Sequence, residues 1–221
     1  MGPLVIVGAG SLAKLAHYYF CRDSRYEVVA FAVSAALRTE DSFMGLPVLT
    51  LEDLAQHYPP ASCSVFVAIG YTEMNRARER VYQAMKRQGY TLASYVSSHC
   101  TYLSDTPPGD NCLIMEDNTI QPFVRIGNNV ILWSGNHIGH DTIIDDHCFI
   151  TSHVVVAGFT QIKPFCFVGG NAVISGGRPI TLGAATLISA GCVVHRSTEP
   201  GSVYAPVRSR RLRIHSEQTN L

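Results

Sequence analysis

The sequence predicts two architectures in series: an α/β unit over the first third of the chain and a repetitive β-solenoid over the rest. Two patterns carry this. Leu4 to Val7 reads as a buried strand running into Gly8-Ala9-Gly10-Ser11-Leu12-Ala13 and then a helix to about Phe20, the strand-turn-helix order of a nucleotide fingerprint in its G-x-G-x-x-A form. Farther on, an aliphatic residue recurs at every sixth position through Ile114, Ile120, Ile126, Leu132, Ile138, Ile144, Ile150, Val156, Ile162, Val168 and Ile174. No α-helix or hairpin has that period; hexapeptides wind short strands into a coil in which each turn covers the apolar face of the last.

The 221 residues suffice for one large domain or two small ones. Lysine plus arginine equals aspartate plus glutamate at 17 each, so no global field recruits nucleic acid or an acidic membrane. The short apolar run at the start is broken by glycine at once, which fits neither a signal peptide nor a span, and Ile6 stands where a myristoylation signal needs Ser or Thr. A cytoplasmic location is expected. The seven cysteines are scattered without a C-x-x-C pair, and read as reduced, buried small hydrophobes rather than as a zinc or disulfide framework.

In the α/β unit, two glycines let the backbone approach a phosphate, and the following helix offers unpaired N–H groups at its positive end. A second strand is expected from Glu27 to Val33. Its end carries Val33 and Ser34 where a dinucleotide enzyme keeps an acid for the ribose, which argues against a nicotinamide oxidoreductase. A third strand from Ser64 leads through Gly70 to a helix of about 17 residues, with Thr72 as N-cap, Gly89 as stop and Met74, Ala77, Val81, Ala84 and Met85 as its core face. The three strand ends converge on one sheet edge, the usual ligand position in such folds. In the solenoid, two residues are added around "SGGRP" before the count resumes at Leu182, Ile188 and Val194. That marks an inserted loop.

"VIVGAGSLAK", "VAIGYTEMNRARERVY", "NNVILWSGNHIGHDT", "CFITSHVVVAGF" and "STEPGSVY", in that order, resemble the bacterial sugar acetyltransferases of the sialic-acid O-acetyltransferase-like group, which includes nucleotide-aminosugar N-acetyltransferases. The resemblance implies a Rossmann-like N-terminal domain over 1–95 that holds a nucleotide sugar. It implies a left-handed parallel β-helix over 96–207 with three hexapeptides per coil, followed by a basic tail at 208–221. It also implies a homotrimer that binds acetyl-CoA between neighbouring helices and acylates an amino or hydroxyl group of the sugar.

With three hexapeptides per coil, positions 18 apart stack, which puts His140 beside Gly158 and His153 beside Gly135. A side chain next to a missing one leaves room for a ligand. The family's general base belongs to a His-Asp/Glu pair, which carries over to His140 with Asp141 as the orienting acid. Taken alone, the dipeptide favours an incidental surface pair, and it is the family pattern that turns the reading to catalysis. The Gly158 N–H is the expected oxyanion donor. Matching positions suggest Gly158, Gly170 and Ala190 for acetyl-CoA, and Gly8, Gly10, Ser11, Leu12, Ser34 and Gly70 for the sugar nucleotide.

The chain departs from its relatives in places. Phe149 stands where many carry a histidine nine residues beyond the base, with His153 preferred over His147 as its replacement. Lys163-Pro164 stands where relatives show glycine and an acid. His137 is expected to pair locally. Arg208, Arg210, Arg211 and Arg213 read as a solvated basic end or as contacts to CoA phosphates. Two rivals remain. One is a non-catalytic nucleotide-sugar scaffold. The other is a zinc enzyme like the gamma-type carbonic anhydrases, for which the histidines lack the needed pair five apart; no metal is expected.

Overall fold

The computed structural model describes residues 2–207; the arginine-rich tail lies outside them. The N-terminal sheet comprises β1 (Gly2–Val7), β2 (Tyr26–Val33), β3 (Ser42–Phe43), β4 (Leu46–Thr50), β5 (Ser64–Val67) and β6 (Thr91–Leu92), in the order β3-β4-β2-β1-β5-β6. All neighbours are parallel except the β3–β4 hairpin at one edge. The three strands expected from the sequence form the middle of this sheet. Strand β1 reads as an unbroken apolar run because both of its faces are covered. Leu4 and Ile6 pack with Phe20 of α1 (Ser11–Arg22), whereas Val5 and Val7 pack with Tyr82 and Met85 of α3 (Arg76–Arg87).

Helix α3 corrects the sequence reading at its start. Thr72 is not its N-cap. Glu73, Met74 and Asn75 all have positive φ, and Asn75 occupies the cap position in the left-handed region, its amide donating to the carbonyls of Phe165 and Cys166 at 3.3 Å. The tie to the solenoid winds these residues into a turn and shortens the helix. Its deepest stripe is Arg78, Tyr82 and Met85, with Val81 and Ala84 only partly buried, because a second body packs beside the sheet. Gly89 does end it, in a Schellman motif: Gly89 N–H donates to Lys86 and Tyr90 N–H to Met85.

From Tyr95 the chain forms a left-handed parallel β-helix of two-residue strands stacked into three sheets. Thr119 pairs with His137, Arg125 with Ile143 and Ile131 with Phe149, the step of 18 that the hexapeptide count implies. After the loop at 175–180 the partners shift, Gln161 to Thr181 and Phe167 to Leu187, so the two added residues bulge out and leave the stack intact. The aliphatic column from Ile114 to Ile174 is buried along the axis with Cys112, Cys148, Cys166 and Cys192. Every cysteine is free, but Cys21 is exposed and Cys100 only half-buried, so the expectation of uniform burial fails at those two positions.

The two halves share a core. Leu113, Met115, Ile131 and Phe149, which point outward from the seven-stranded sheet of the β-helix, pack into the same cluster as Leu4, Phe31 and Phe66.

Candidate active site

A cleft of about 610 Å³ opens at the carboxyl ends of β1, β2 and β5. Gly8, Gly10, Ser11, Leu12, Ser34 and Gly70, all singled out in the sequence, line it. Gly8 has φ 128°, and a Cβ there would stand 2.8 Å from the Ala68 carbonyl oxygen, so the turn requires glycine. Gly10 has open space around it and leads into α1, whose N-terminus carries neither a side-chain cap nor an acidic residue in its first turn. That leaves free N–H groups and a positive dipole end at the cleft. None of the lining residues is charged. Leu37, Thr39, Leu51 and Tyr71 complete the near wall, and the far wall is Trp133 and Phe149 of the β-helix. Sequence reasoning missed that wall. Its signal was a pair of large aromatics at outward positions of the solenoid, where solvent-facing residues are ordinarily polar.

His140 lies at the corner between the six-stranded sheet, through His137–Ile138, and the four-stranded sheet, through Ile143–Ile144. Its backbone N–H donates to the Gln121 side chain at 2.8 Å, and its ring meets Phe159 edge-on at 5.0 Å. Asp141 is held in the left-handed region at φ 57°, with a carboxylate oxygen 2.9 Å from His140 Nδ1. A carboxylate only accepts, so Nδ1 carries a proton and Nε2 is the lone-pair nitrogen of the neutral ring. Nε2 stands over Gly158: a Cβ added there would be 2.9 Å from it.

His153, Gly170 and Ala190 follow one another along a different corner, between the seven- and six-stranded sheets, with the His153 ring lying over Gly135. The chain therefore arranges its candidates in three places. None of His140, Asp141, His153, Gly158, Gly170 and Ala190 lines the cleft. The cleft abuts the seven-stranded sheet, and His140 occupies the corner that sheet does not share.

Phe149 is buried against Tyr71 and Phe167. His147 is buried too, its Nδ1 accepting from the Asn129 side chain at 2.9 Å, and burial holds its pKa below the ordinary 6.5. It is part of the clamp between the halves. His137 lies in the six-stranded sheet between Thr119 and Val155. Lys163 pairs with Asp145 at 3.6 Å. Among the described residues, no group of three His, Cys, Asp or Glu side chains converges to hold a metal ion, and no helix is long and apolar enough to cross a membrane.

Residues 3–85 match the PglD N-terminal domain, and residues 109–140 and 124–158 match the bacterial transferase hexapeptide family. The chain thus joins a stretch that matches the PglD N-terminal domain to one that matches bacterial transferase hexapeptide repeats.

Solved structures share this fold over nearly its whole length. The acetyltransferase domain of PglB from Neisseria gonorrhoeae superposes with a TM-score of 0.80 at 22% identity, covering 92% of this chain and 96% of that one. PerB from Caulobacter crescentus, solved in complex with CoA and GDP-perosamine, gives 0.78 at 24%, covering 92% and 93%. WeeI from Acinetobacter baumannii gives 0.77 at 21%, covering 92% and 96%. Among curated proteins, an acyl-[acyl-carrier-protein]–UDP-N-acetylglucosamine O-acyltransferase from Nautilia profundicola is 24% identical over 102 residues, and that match spans 39% of its length.

Arg78 is the residue the sequence concealed. It is fully buried with no acid beside it, and its partners are amide and carbonyl oxygens. Nε donates to Asn129 Oδ1 at 3.0 Å and Nη1 to the Gly70 carbonyl at 2.9 Å; Nη2 reaches the carbonyls of Asn129, His147 and Cys148 at 3.2 to 3.3 Å. Desolvation pushes its pKa down to about 10, so the guanidinium stays charged near neutrality. One side chain thus ties the rim of the cleft to the β-helix.

Proposed function

We propose that this chain transfers an acetyl group from acetyl-CoA to an amino or hydroxyl group of a nucleotide-linked sugar. The observation that carries the reading is His140, with one ring nitrogen fixed by Asp141 and the other free above Gly158. The uncharged, glycine-rich cleft supports a nucleotide-sugar site in the N-terminal domain, residues 1–95, and the β-helix over 96–207 carries the acyl-transfer chemistry. Diphosphate oxygens are taken by the N–H groups around Gly8, Gly10, Ser11 and Leu12 and by the α1 dipole, with Ser34 and Gly70 at the nucleoside side. PerB, of the same fold, was solved with CoA and GDP-perosamine, which agrees with both ligand classes.

In the reaction, His140 Nε2 removes a proton from the acceptor N–H or O–H as that atom attacks the thioester carbonyl carbon. The carbonyl oxygen becomes an oxyanion, which the Gly158 N–H stabilises. Collapse breaks the C–S bond, the CoA thiolate leaves, and the imidazolium returns the proton. Asp141 holds the tautomer and balances the transient charge. His153, Gly170 and Ala190 flank the CoA path along the neighbouring corner.

Because the cleft and His140 lie on different sides of one β-helix, the complete site requires a second copy, and a homotrimer is the assembly proposed. The test is thiol release from acetyl-CoA over a panel of UDP-, GDP- and dTDP-linked hexoses and amino-hexoses, together with the mass of the native particle. Absence of turnover on every acceptor, with nucleotide sugar still bound, leaves the non-catalytic scaffold as the answer.

A further inference from the structure

Among the described residues, a single buried side-chain polar atom has no hydrogen-bond partner: the indole nitrogen of Trp133. An N–H shut away from water and unpaired is costly, and native structures keep few of them. This one belongs to a ring that lines the cleft. Its backbone is pinned: Trp133 N–H donates to Ile150 at 2.9 Å, and its carbonyl accepts from the side chains of Asn118 and Asn136. Only the ring can turn. Beside it, Phe149 packs edge-on to Tyr71 at 5.2 Å and stacks on Phe167 at 5.8 Å, so the far wall is aromatic, and a turn of the Trp133 ring would bring its unspent donor to the cleft.

The cleft sorts a nucleotide sugar by position. On the nucleotide-sugar reading, the glycine loop and the α1 N-terminus take the phosphates, and Ser34, Leu37 and Thr39, which line the cleft at the end of β2, take the nucleoside. What remains for the β-helix wall is the sugar. Indole N–H donates and never accepts, so it pairs with a hydroxyl, ether or carbonyl oxygen and is no partner for an ammonium group. Aromatic faces suit the C–H side of a pyranose ring.

We propose that Trp133 reads the sugar, its ring turning so that the indole N–H donates to an oxygen substituent of the hexose while the exposed Tyr71 ring packs against the sugar. This rests on the nucleotide-sugar reading above and adds the residue that selects the sugar.

Trp133 is the chain's only tryptophan, so its emission reports on that wall alone. The full-length protein is titrated with UDP-, GDP- and dTDP-hexoses and with the matching nucleoside diphosphates, by calorimetry and by fluorescence in parallel. A nucleotide sugar that binds shifts the Trp133 emission, and its nucleoside diphosphate leaves it unchanged. Trp133→Phe, which keeps an aromatic ring and loses the donor, raises the nucleotide-sugar Kd about fivefold, the size of one neutral hydrogen bond. The same substitution leaves the nucleoside diphosphate Kd within about twofold. Emission that stays constant while calorimetry reports saturation overturns the proposal, as does a variant that weakens both ligands equally or neither. Should no nucleotide sugar bind in calorimetry, the functional reading itself falls, and this inference falls with it.

Discussion

The His140 imidazole fills the space left by the missing side chain of Gly158: a methyl group there would stand 2.9 Å from both Cε1 and Nε2 and 3.0 Å from the His140 carbonyl oxygen. Gly158→Ala therefore pushes the ring away from its Asp141 pairing while the coil, built from backbone ladders, persists. The expected result is a kcat lower by about tenfold or more from misplacement of the base, with an unchanged circular dichroism spectrum. Wild-type turnover in this variant refutes the placement of chemistry at Nε2.

Replacing His140 by alanine removes the proton acceptor itself and lowers kcat by about 10²- to 10⁴-fold, the usual contribution of a general base. Asp141→Asn keeps the left-handed backbone, since asparagine tolerates it, but allows the other tautomer. Its loss is no larger than that of the His140 variant and appears in kcat with little change in KM. Steady-state kinetics on both variants check the order of the two effects.

Gly8 and Gly10 lie two residues apart and separate structure from binding. A methyl group at Gly8 meets the Ala68 carbonyl on a backbone of φ 128°, so Gly8→Ala destabilises the fold by about 1–3 kcal/mol, measured by urea unfolding. At Gly10 a methyl group meets nothing within 4 Å. Gly10→Ala leaves the unfolding midpoint unchanged and weakens nucleotide-sugar binding, because the lost space belonged to a phosphate.

Arg78→Lys keeps a charge and gives up the planar fork. An ammonium group cannot reach the Gly70 carbonyl and the carbonyls of Asn129, His147 and Cys148 together. Oxygens buried without a donor cost about 2–4 kcal/mol of stability. Hydrogen exchange should quicken first in the segment around Ile69 and Gly70, which the guanidinium holds. Unfolding at wild-type denaturant concentration would contradict the clamp.

His147 gives the clamp a pH dependence. Burial depresses its folded-state pKa below 6.5, so the unfolded chain takes up a proton more readily than the folded one. Stability is complete above about pH 6.5 and is lost as pH falls below that value through the depressed one. His17, also lowered by burial, acts in the same direction. His147→Asn keeps an acceptor for Asn129 and accepts a positive φ, here 64°, so it flattens the slope of Tm against pH below about 6.5 relative to wild type.

The hexapeptide column was legible because each coil neighbour lies a constant 18 positions away. The stacking of His140 on Gly158 and of His153 on Gly135 followed from the six-residue count together with the three hexapeptides per coil that the family resemblance implies. The glycine loop was legible for a similar reason: its strand, turn and helix are adjacent in the chain, and all six positions that the family resemblance suggested, four of them in this loop, line the cleft. The start of α3 was misread because Thr72 has the chemistry of a cap. What decides the matter is Asn75, pulled to carbonyls of the solenoid 90 and 91 residues away.

Local spacing thus determined the coil, the phosphate-type turn and the histidine-aspartate pair, since each is an interaction between residues at short or constant separation. Three matters waited for the tertiary structure: the aromatic far wall of Trp133 and Phe149, the burial of Arg78, and the distance between cleft and imidazole. Each depends on how the sheet docks on one face of the β-helix. Arg78 reaches Asn129 and Cys148 across 51 and 70 residues, and no periodicity in the chain encodes those separations.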